Sequence, residues 1–463
     1  MKHRLLSMII SAALILSLSA CSSSSSSDTQ KEQKQEDSSS SSKLTILNCL
    51  NNNIDLEIAK FTTKHPDIKL EEEIYEDETT REIKKQTMTK VLAGEGPDIL
   101  IMRVKDFPNI NKMFQSKLFY DLNTLIKDDK SFKMDEYNKV VMDSGIVDGK
   151  RYVVPLFFNI SAITTTKSFL SKNGLNIPEG GVSWTELSQM VKKFVNNNKN
   201  DGKYMFGSDF SFDSLIYNSY MKFVDFNKKE SSFDSEEFIS LLNIYKDIQA
   251  AVCPDEVAKK SNIADLMKNG TYGIVQWDTN IQARQSMDSF YKQIFGEEVY
   301  MIPSPGDKQT ADITAGVRVV AGINVNCKKP QEAYEFLKQL LSKDNQIPHL
   351  DPKNQWKEFP VNIEAYKEEL KYRSSEDSIE KVFFGMSNGI SAPFTCDLLL
   401  SPLSKEMCVK SDQLYNGVTK AEINDYNVLT MLTEETIAFL SGKSSAEQTA
   451  KAINDKVMLY LNE

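Results

Sequence analysis

The chain has 463 residues, of which 40% are hydrophobic and 26% charged, with a formal net charge of −10. That length exceeds what one hydrophobic core supports, so more than one lobe is expected. The acidic balance disfavours nucleic acid and anionic lipid surfaces as main partners.

The first twenty residues read as a targeting segment. Lys2, His3 and Arg4 form a basic n-region, and Leu5 to Leu18 is an apolar h-region broken only by serines. This run is too short and too Ser-broken for a membrane span. Leu18-Ser19-Ala20-Cys21 resembles the bacterial lipobox, which implies a signal peptide over 1–20 and lipidation of Cys21; the other reading is an ordinary secretory signal. Removing Lys2 and Arg4 takes the charge from −10 to −12. Residues 22–42 are Ser, Gln, Glu, Lys, Asp and Thr with no apolar residue. Such a stretch cannot offset its chain entropy by burial, so 21–42 is expected to be a disordered tether reaching about 25 Å. The expected placement is the outer face of a bacterial cell membrane, held by the lipid alone.

Of the six cysteines, five remain if Cys21 is lipidated: Cys49, Cys253, Cys327, Cys396 and Cys408. The number is odd and no CxxC spacing occurs. Free thiols are therefore the default, with one disulfide still open.

Helices and strands then alternate. Leu44–Leu47 is a short apolar strand and Asn48–Asn53 a polar turn. Ile54, Ile58 and Phe61 keep a helical rhythm that stops near His65-Pro66. Ile68-Lys69-Leu70 begins a second strand, and Glu82–Leu92 reads as a helix. Gly94, Gly96 and Pro97 make a turn into the apolar run Ile99–Met102, as expected of a buried parallel strand. This βαβαβ order predicts an α/β fold with a mainly parallel sheet flanked by helices. Ligands of such sheets sit at the carboxyl ends of the strands, here assigned to Asn48–Asn53 and the region of Asp98. Asp98 has two readings: a cap for a neighbouring backbone N–H, or a ligand contact.

The order of these segments, with Lys60–Ile68 and Gly94-Glu95-Gly96-Pro97-Asp98-Ile99 at their spacing, resembles the family 1 extracellular solute-binding proteins, the family of maltose-binding protein. The likeness continues through Gly149–Pro155, Ser161–Leu175 and Ser183-Trp184-Thr185-Glu186-Leu187. It goes on through Leu266–Trp277, Ala315-Gly316, Ala321–Val325 and Ser441–Glu447. Ser183 with Glu186 has the form of a capping box, with Trp184 packed on the helix it starts. The stretch 379–415, Phe394 included, fits no part of the pattern.

The resemblance implies a two-lobed periplasmic-binding-protein-like fold of type II with a ligand cleft at the hinge. The lobes would be 43–156 with 312–348 and 157–311 with 349–463. The crossings fall near 155–158, 310–316 and 346–352. It further implies a monomeric lipoprotein that captures a carbohydrate, an oligosaccharide in the first instance, and delivers it to the permease of an ABC importer. Two alternatives share the fold: a sensor subunit presenting its ligand to a membrane histidine kinase, and a binder of a non-sugar solute such as a polyamine.

Catalysis is not expected. Beyond the leader only His65 and His349 remain, so no His-pair metal site or His-based triad can be assembled. No phosphate loop or dinucleotide fingerprint occurs. Asn197–Gly202 fails as a calcium loop, because Lys199 and Ser208 fall at ligand positions. No cofactor and no metal is called for.

Binding needs polar groups and aromatic faces converging in a closable groove. The candidates are Trp277, matching an aromatic that the family delivers to its cleft, and Asp278 beside it, an acceptor for hydroxyls. Asn51, Asn52 and Asn53 lie at a strand end. Phe157, Phe158 and Asn159 lie at the first crossing, where hinge and ligand roles are both open. Gly316 and Arg318 lie at the second, where Arg318 grips a ligand or forms a hinge salt bridge. Asp209, Phe210 and Tyr217 are weaker candidates.

Overall fold

Three short strands pairing in parallel begin the architecture: β1 (Ser42–Asn48) lies between β2 (Ile68–Glu72) and β3 (Ile99–Arg103). The computed structural model describes residues 42–49, 54–73, 80–198, 201–208, 210, 223–306, 313–350, 358–386 and 392–463. The helix Asp55–Lys64 buries Phe61 and stops at His65, and Thr80–Leu92 is the second connecting helix. Gly94 and Gly96 have φ of +85° and +95°, left-handed turns open to glycine at little cost. Asn324 fixes that turn by donating to the carbonyls of Glu95 and Pro97 at 3.1 and 3.0 Å.

After a two-residue hairpin of β4 (Ile146–Val147) and β5 (Lys150–Arg151), the chain enters β6 (Val153–Thr165), thirteen residues and nearly all buried. A second small hairpin, β7 (Val224–Asp225) with β8 (Glu230–Ser231), precedes β9 (Val275–Thr279), β10 (Tyr300–Pro303) and β11 (Ile313–Ile323). The remaining strands are β12 (Phe359–Pro360), β13 (Lys381–Met386), β14 (Phe394–Leu399) and β15 (Val418–Glu422).

One sheet of nine strands results, ordered β10-β6-β11-β3-β1-β2, with β9 and β12 also on β6 and β15 on β11. Contrary to the expectation of mainly parallel pairing, the sheet is mixed. β11 runs antiparallel to both β3 and β6, and β9, β10 and β12 run antiparallel to β6. The cause is the two long strands, which traverse the molecule in opposite directions and so impose antiparallel neighbours.

The apolar residues form two clusters. One joins Ile46, Ile99 and Val320 to Phe158 and Phe290. The other joins Trp184, Phe194 and Phe238 to Leu432 and Ile453. Ser183 and Glu186 form the expected capping box at the helix Trp184–Asn197, and Trp184 is buried. A second capping box, Ser445 with Gln448, starts the last helix, Ala446–Asn462. Cys253, Cys327, Cys396 and Cys408 are free thiols, and Cys49 is buried. Within 379–415 the described residues form an antiparallel arm, β13 with β14, followed by the helix Lys405–Asn416. Phe384 and Phe394 hold the arm against Phe290 of the helix Ile281–Phe295, at ring separations of 5.2 and 5.6 Å.

The helix Tyr426–Leu440 starts on Asp425, whose carboxylate accepts from the amides of Asn427 and Val428 and from the Tyr460 hydroxyl. Burial pushes this carboxyl up from 3.8 to about 7 despite those donors and despite Lys112 nearby. The folded chain thus holds this proton more tightly than the unfolded chain. The stability it contributes is complete below about pH 4 and is lost as pH rises through 7. We expect the stability of the parent relative to Asp425→Asn to fall by a few kcal/mol between pH 4 and pH 8. Urea unfolding of both proteins across that range checks it; a difference independent of pH contradicts it.

Candidate functional site

β6 and β11 lie side by side, and their pairing is irregular at two successive steps. Reading along β11, Val317 faces Phe158, Val319 faces Phe157 and Val320 faces Pro155. Arg318 is therefore an extra residue on β11 and Leu156 an extra residue on β6, two opposed bulges close together on the ladder. A bulge leaves a carbonyl without its ladder partner, and here the Leu156 oxygen accepts from Gln346 Nε2 at 3.1 Å and from the Val361 amide at 3.3 Å. Gln346 also accepts the Asn362 amide at 2.9 Å and is buried. A third segment, β12, pairs with Phe157 and Phe158 along the other edge of β6. Three chain passages thus meet at one level of the sheet.

Alternation along β6 decides which residues face which side. Phe158 is completely buried, its ring 5.5 Å from Phe359 and 5.6 Å from Tyr415. It lies in the core, its ring enclosed by those two others. Phe157 is buried as well. Asn159 lies on the opposite face, directly across from Gly316 of β11, which in turn pairs with Glu422 of β15. A Cβ on Gly316 would stand 2.9 Å from Asn159 Oδ1, so the glycine is what lets the amide lie across the strand. Arg318, at the bulge, donates to the Tyr426 hydroxyl at 3.3 Å. It ties the crossing to the first turn of the helix Tyr426–Leu440.

The polar face continues beyond Asn159. Ser161, two residues on, accepts from Gln276 Nε2 at 2.8 Å and from the Ser304 hydroxyl at 2.9 Å. The Gln276 Oε1 atom is buried without a hydrogen-bond partner among the described residues. Sequence reasoning misses Gln276 and Ser304. The readable signal is the one polar residue between the buried run Gly273–Val275 and Trp277. The backbone of β9 sets Trp277 opposite Ala162 and Asp278 opposite Ser161. The side chains of these two lie outside the described residues, as do Asn51, Asn52, Asn53, Asp209 and Tyr217.

Of the two readings of Asp98, the structure shows the cap of a neighbouring backbone N–H. It stands at the amino end of β3, not the carboxyl end. Its Oδ2 accepts from the Thr45 amide at 2.9 Å and from the Thr45 hydroxyl at 3.0 Å, which joins β1 to the turn before β3. The carboxyl ends of β1 and β3 are at Asn48 and Arg103, and Arg103 pairs with Val319 beside the bulge. Phe210 is also core, buried against Phe206 at 4.3 Å.

A groove of about 950 Å³ runs along β15 between the 143–148 and 223–232 segments. Three of its acids are already engaged: Asp143 pairs with Arg151 and Lys139, Asp225 with Lys228, and Asp148 accepts from Asn227. Among the described residues, none of those predicted for binding lines it.

Residues 52–347 match the family described as bacterial extracellular solute-binding protein. No curated protein matches the chain. Among solved structures, the sugar-binding protein MalE from the phytopathogen Xanthomonas citri shares 14% identity, covers 91% of this chain and 98% of its own, and superposes with a TM-score of 0.63. The cyclic alpha-maltosyl-1,6-maltose binding protein from Arthrobacter globiformis shares 16% identity, with coverage of 90% and 98% and a TM-score of 0.59. An ABC substrate-binding protein from Listeria monocytogenes in complex with cycloalternan shares 15%, with coverage of 91% and 99% and a TM-score of 0.58. At these identities the likeness is one of fold.

The two glycines of β11 give a contrast to test. A methyl group on Gly316 meets only the movable end of Asn159, whereas one on Gly322 meets Phe119 Cδ1 at 2.7 Å and the Tyr152 carbonyl at 3.1 Å. Gly322→Ala is expected to cost about 1–3 kcal/mol in urea unfolding and Gly316→Ala under about 1 kcal/mol. Equal costs would contradict the geometry of the crossing.

Proposed function

Because the chain belongs to the bacterial extracellular solute-binding protein family, we propose that it captures a carbohydrate, an oligosaccharide in the first instance, at the bulged crossing of β6 and β11. The observation that carries the reading is the polar row of Asn159, Ser161, Gln276 and Ser304, next to a three-stranded passage between two halves of the fold. Amides and hydroxyls in alternate strand positions suit a ligand rich in hydroxyl groups, each of which both donates and accepts. An open acceptor at Gln276 Oε1 is matched to a sugar O–H. The names of two structural relatives, which bind cycloalternan and a cyclic maltosyl-maltose, agree with that class.

The residues have separate parts in the mechanism. Gly316 keeps the crossing thin so that Asn159 can turn toward ligand. Arg318 couples β11 to the helix Tyr426–Leu440, so rotation about the bulges carries that helix with it. The lobes are 43–156 with 312–348 and 157–311 with 349–463. Closure is favoured because ligand touches both lobes only when they approach. Trp277 supplies an apolar ring face for the sugar C–H groups, Asp278 accepts hydroxyls, and Asn51 and Asn52 reach in from the opposite wall. The loaded form is then delivered to an ABC permease. Lipidation at Cys21 and the 22–42 tether hold the protein at the outer face of the cell membrane.

The test uses the soluble body, residues 43–463, with intrinsic tryptophan fluorescence against a panel of mono- and oligosaccharides. A saturable change with one sugar class is expected, weakened at least tenfold by calorimetry in Trp277→Phe, about 1.4 kcal/mol of binding energy. Silence across the panel, with a thermal shift from amino acids or polyamines instead, would overturn the carbohydrate reading and leave the solute-binding fold in place.

A further inference from the structure

The groove along β15 has two walls, and they come from opposite sides of the proposed hinge. The helix Ile110–Gln115 and the β4–β5 hairpin belong to 43–156, and the β7–β8 hairpin belongs to 157–311. The walls also join different apolar clusters: Phe114 packs in the first, and Phe223, Val224 and Phe226 pack in the second.

The two hairpin tips meet across the groove. Asn227 Nδ2 donates to Asp148 Oδ1 at 2.8 Å, and both residues line the groove. One residue back along the same tip, the Phe226 carbonyl accepts from Gln115 Nε2. Other bonds between the two sides are placed differently. Asn111 donates to the Ile423 carbonyl at 3.3 Å, and the Asn427 amide donates to the Pro108 carbonyl at 3.1 Å. The first joins a wall of the groove to its floor and the second lies outside the lining, so neither spans it.

Each tip is held in shape within its own hairpin. Asp148 and Gly149 have φ of +51° and +76°, the two-residue turn whose twist matches that of the flanking strands. The Gly149 carbonyl accepts from Asn123 Nδ2 at 3.0 Å, and the Arg151 amide donates to Asp121 at 3.1 Å. In the other tip the Asp225 carboxylate accepts from the amides of Asn227 and Lys228, each at 3.0 Å. Asn454 Oδ1 accepts the Phe233 amide at 3.1 Å and so ties the chain after β8 to the last helix. Two tips ordered in advance lose little freedom when they join.

We propose that the tips of the β4–β5 and β7–β8 hairpins form a latch that draws the two lobes together before any ligand arrives. The inference rests on the lobe assignment and the carbohydrate reading above, and adds to them the residues that regulate closure. A solvent-facing hydrogen bond contributes little to global stability. Open and closed forms of one fold differ by little as well, so the same small contribution shifts their populations. The latch biases the joint without locking it, and a protein closed part of the time binds its ligand more tightly than one held open.

The experiment uses the soluble body, residues 43–463, free of ligand, and reads its radius of gyration by small-angle X-ray scattering at neutral pH. Asn227→Asp removes the donor and sets a carboxylate against Asp148. Asn227→Ala with Gln115→Ala removes both bonds and adds no charge. Each is expected to lower the closed-to-open ratio about tenfold, read as a larger radius. Adding Asp148→Asn to Asn227→Asp restores the bond with donor and acceptor exchanged, and is expected to return the radius to that of the parent. A variant that had merely lost its fold would not be restored in this way. Equal radii in all of these proteins, or an increase that the exchanged pair does not undo, overturns the latch. The sugar that changes tryptophan fluorescence is expected to bind Asn227→Asp severalfold more weakly, about tenfold at most, and the exchanged pair as the parent. Equal affinity in all three overturns the role of the latch in capture. A sugar panel silent for the parent overturns the carbohydrate reading alone, because the scattering comparison needs no ligand.

Discussion

The pairing of β6 with β11 is the constraint on which the rest of the fold depends. A continuous antiparallel ladder of this length would make the two halves one stiff body. Opposed bulges at Leu156 and Arg318 interrupt the ladder without ending it, and a bulge adds twist and bend at a defined place. The cost of the interruption, a carbonyl left out of the ladder in a buried setting, is met by Gln346 and Val361 from the third passage. Gln346 thereby makes three chain passages into one joint. Removing its side chain would leave the Asn362 amide without that partner, a loss worth roughly 1–3 kcal/mol when buried, and the Leu156 oxygen with the Val361 amide alone.

From that joint the chemistry of the site follows by alternation. Phe158 and Asn159 are adjacent in sequence and belong to different worlds, one inside an aromatic cluster and the other on a polar face shared with Ser161. Gly316 belongs to the same design, since only the missing Cβ leaves room for Asn159 Oδ1. The same strand pair therefore anchors the core on one side and presents hydrogen-bonding groups on the other. If the bulges act as the proposed hinge, it lies beside the polar face, and a ligand held there would feel the motion directly.

Much of the fold is legible in the sequence because it is local. The stop at His65-Pro66, the glycine turn before Ile99 and the Ser183–Glu186 capping box each depend on a few neighbouring residues, and each is present. The sequence order already puts Asp98 at the amino end of β3; what it does not show is the partner, Thr45 of β1, because the pairing of β1 with β3 spans more than fifty residues of chain. Phe158 is ambiguous for a related reason, since the register that turns it inward is set by Phe359 and Tyr415, far along the chain. Bulges leave no mark in composition, so neither Leu156 nor the role of Gln346 is readable. The arm at 379–415 has a plain period-two pattern once seen, but Cys396 and the flanking apolar residues blur it. Gln276 is the one missed residue with a usable signal, a lone amide within an apolar run.

The central claim is that ligand capture and rotation about the β6–β11 bulges are one event. Small-angle X-ray scattering of residues 43–463, without sugar and then saturated with the sugar that changes tryptophan fluorescence, measures it most directly. The account predicts a smaller radius of gyration in the saturated sample, with the change tracking fractional saturation through the titration. An unchanged radius at full saturation would show binding without closure and contradict the hinge.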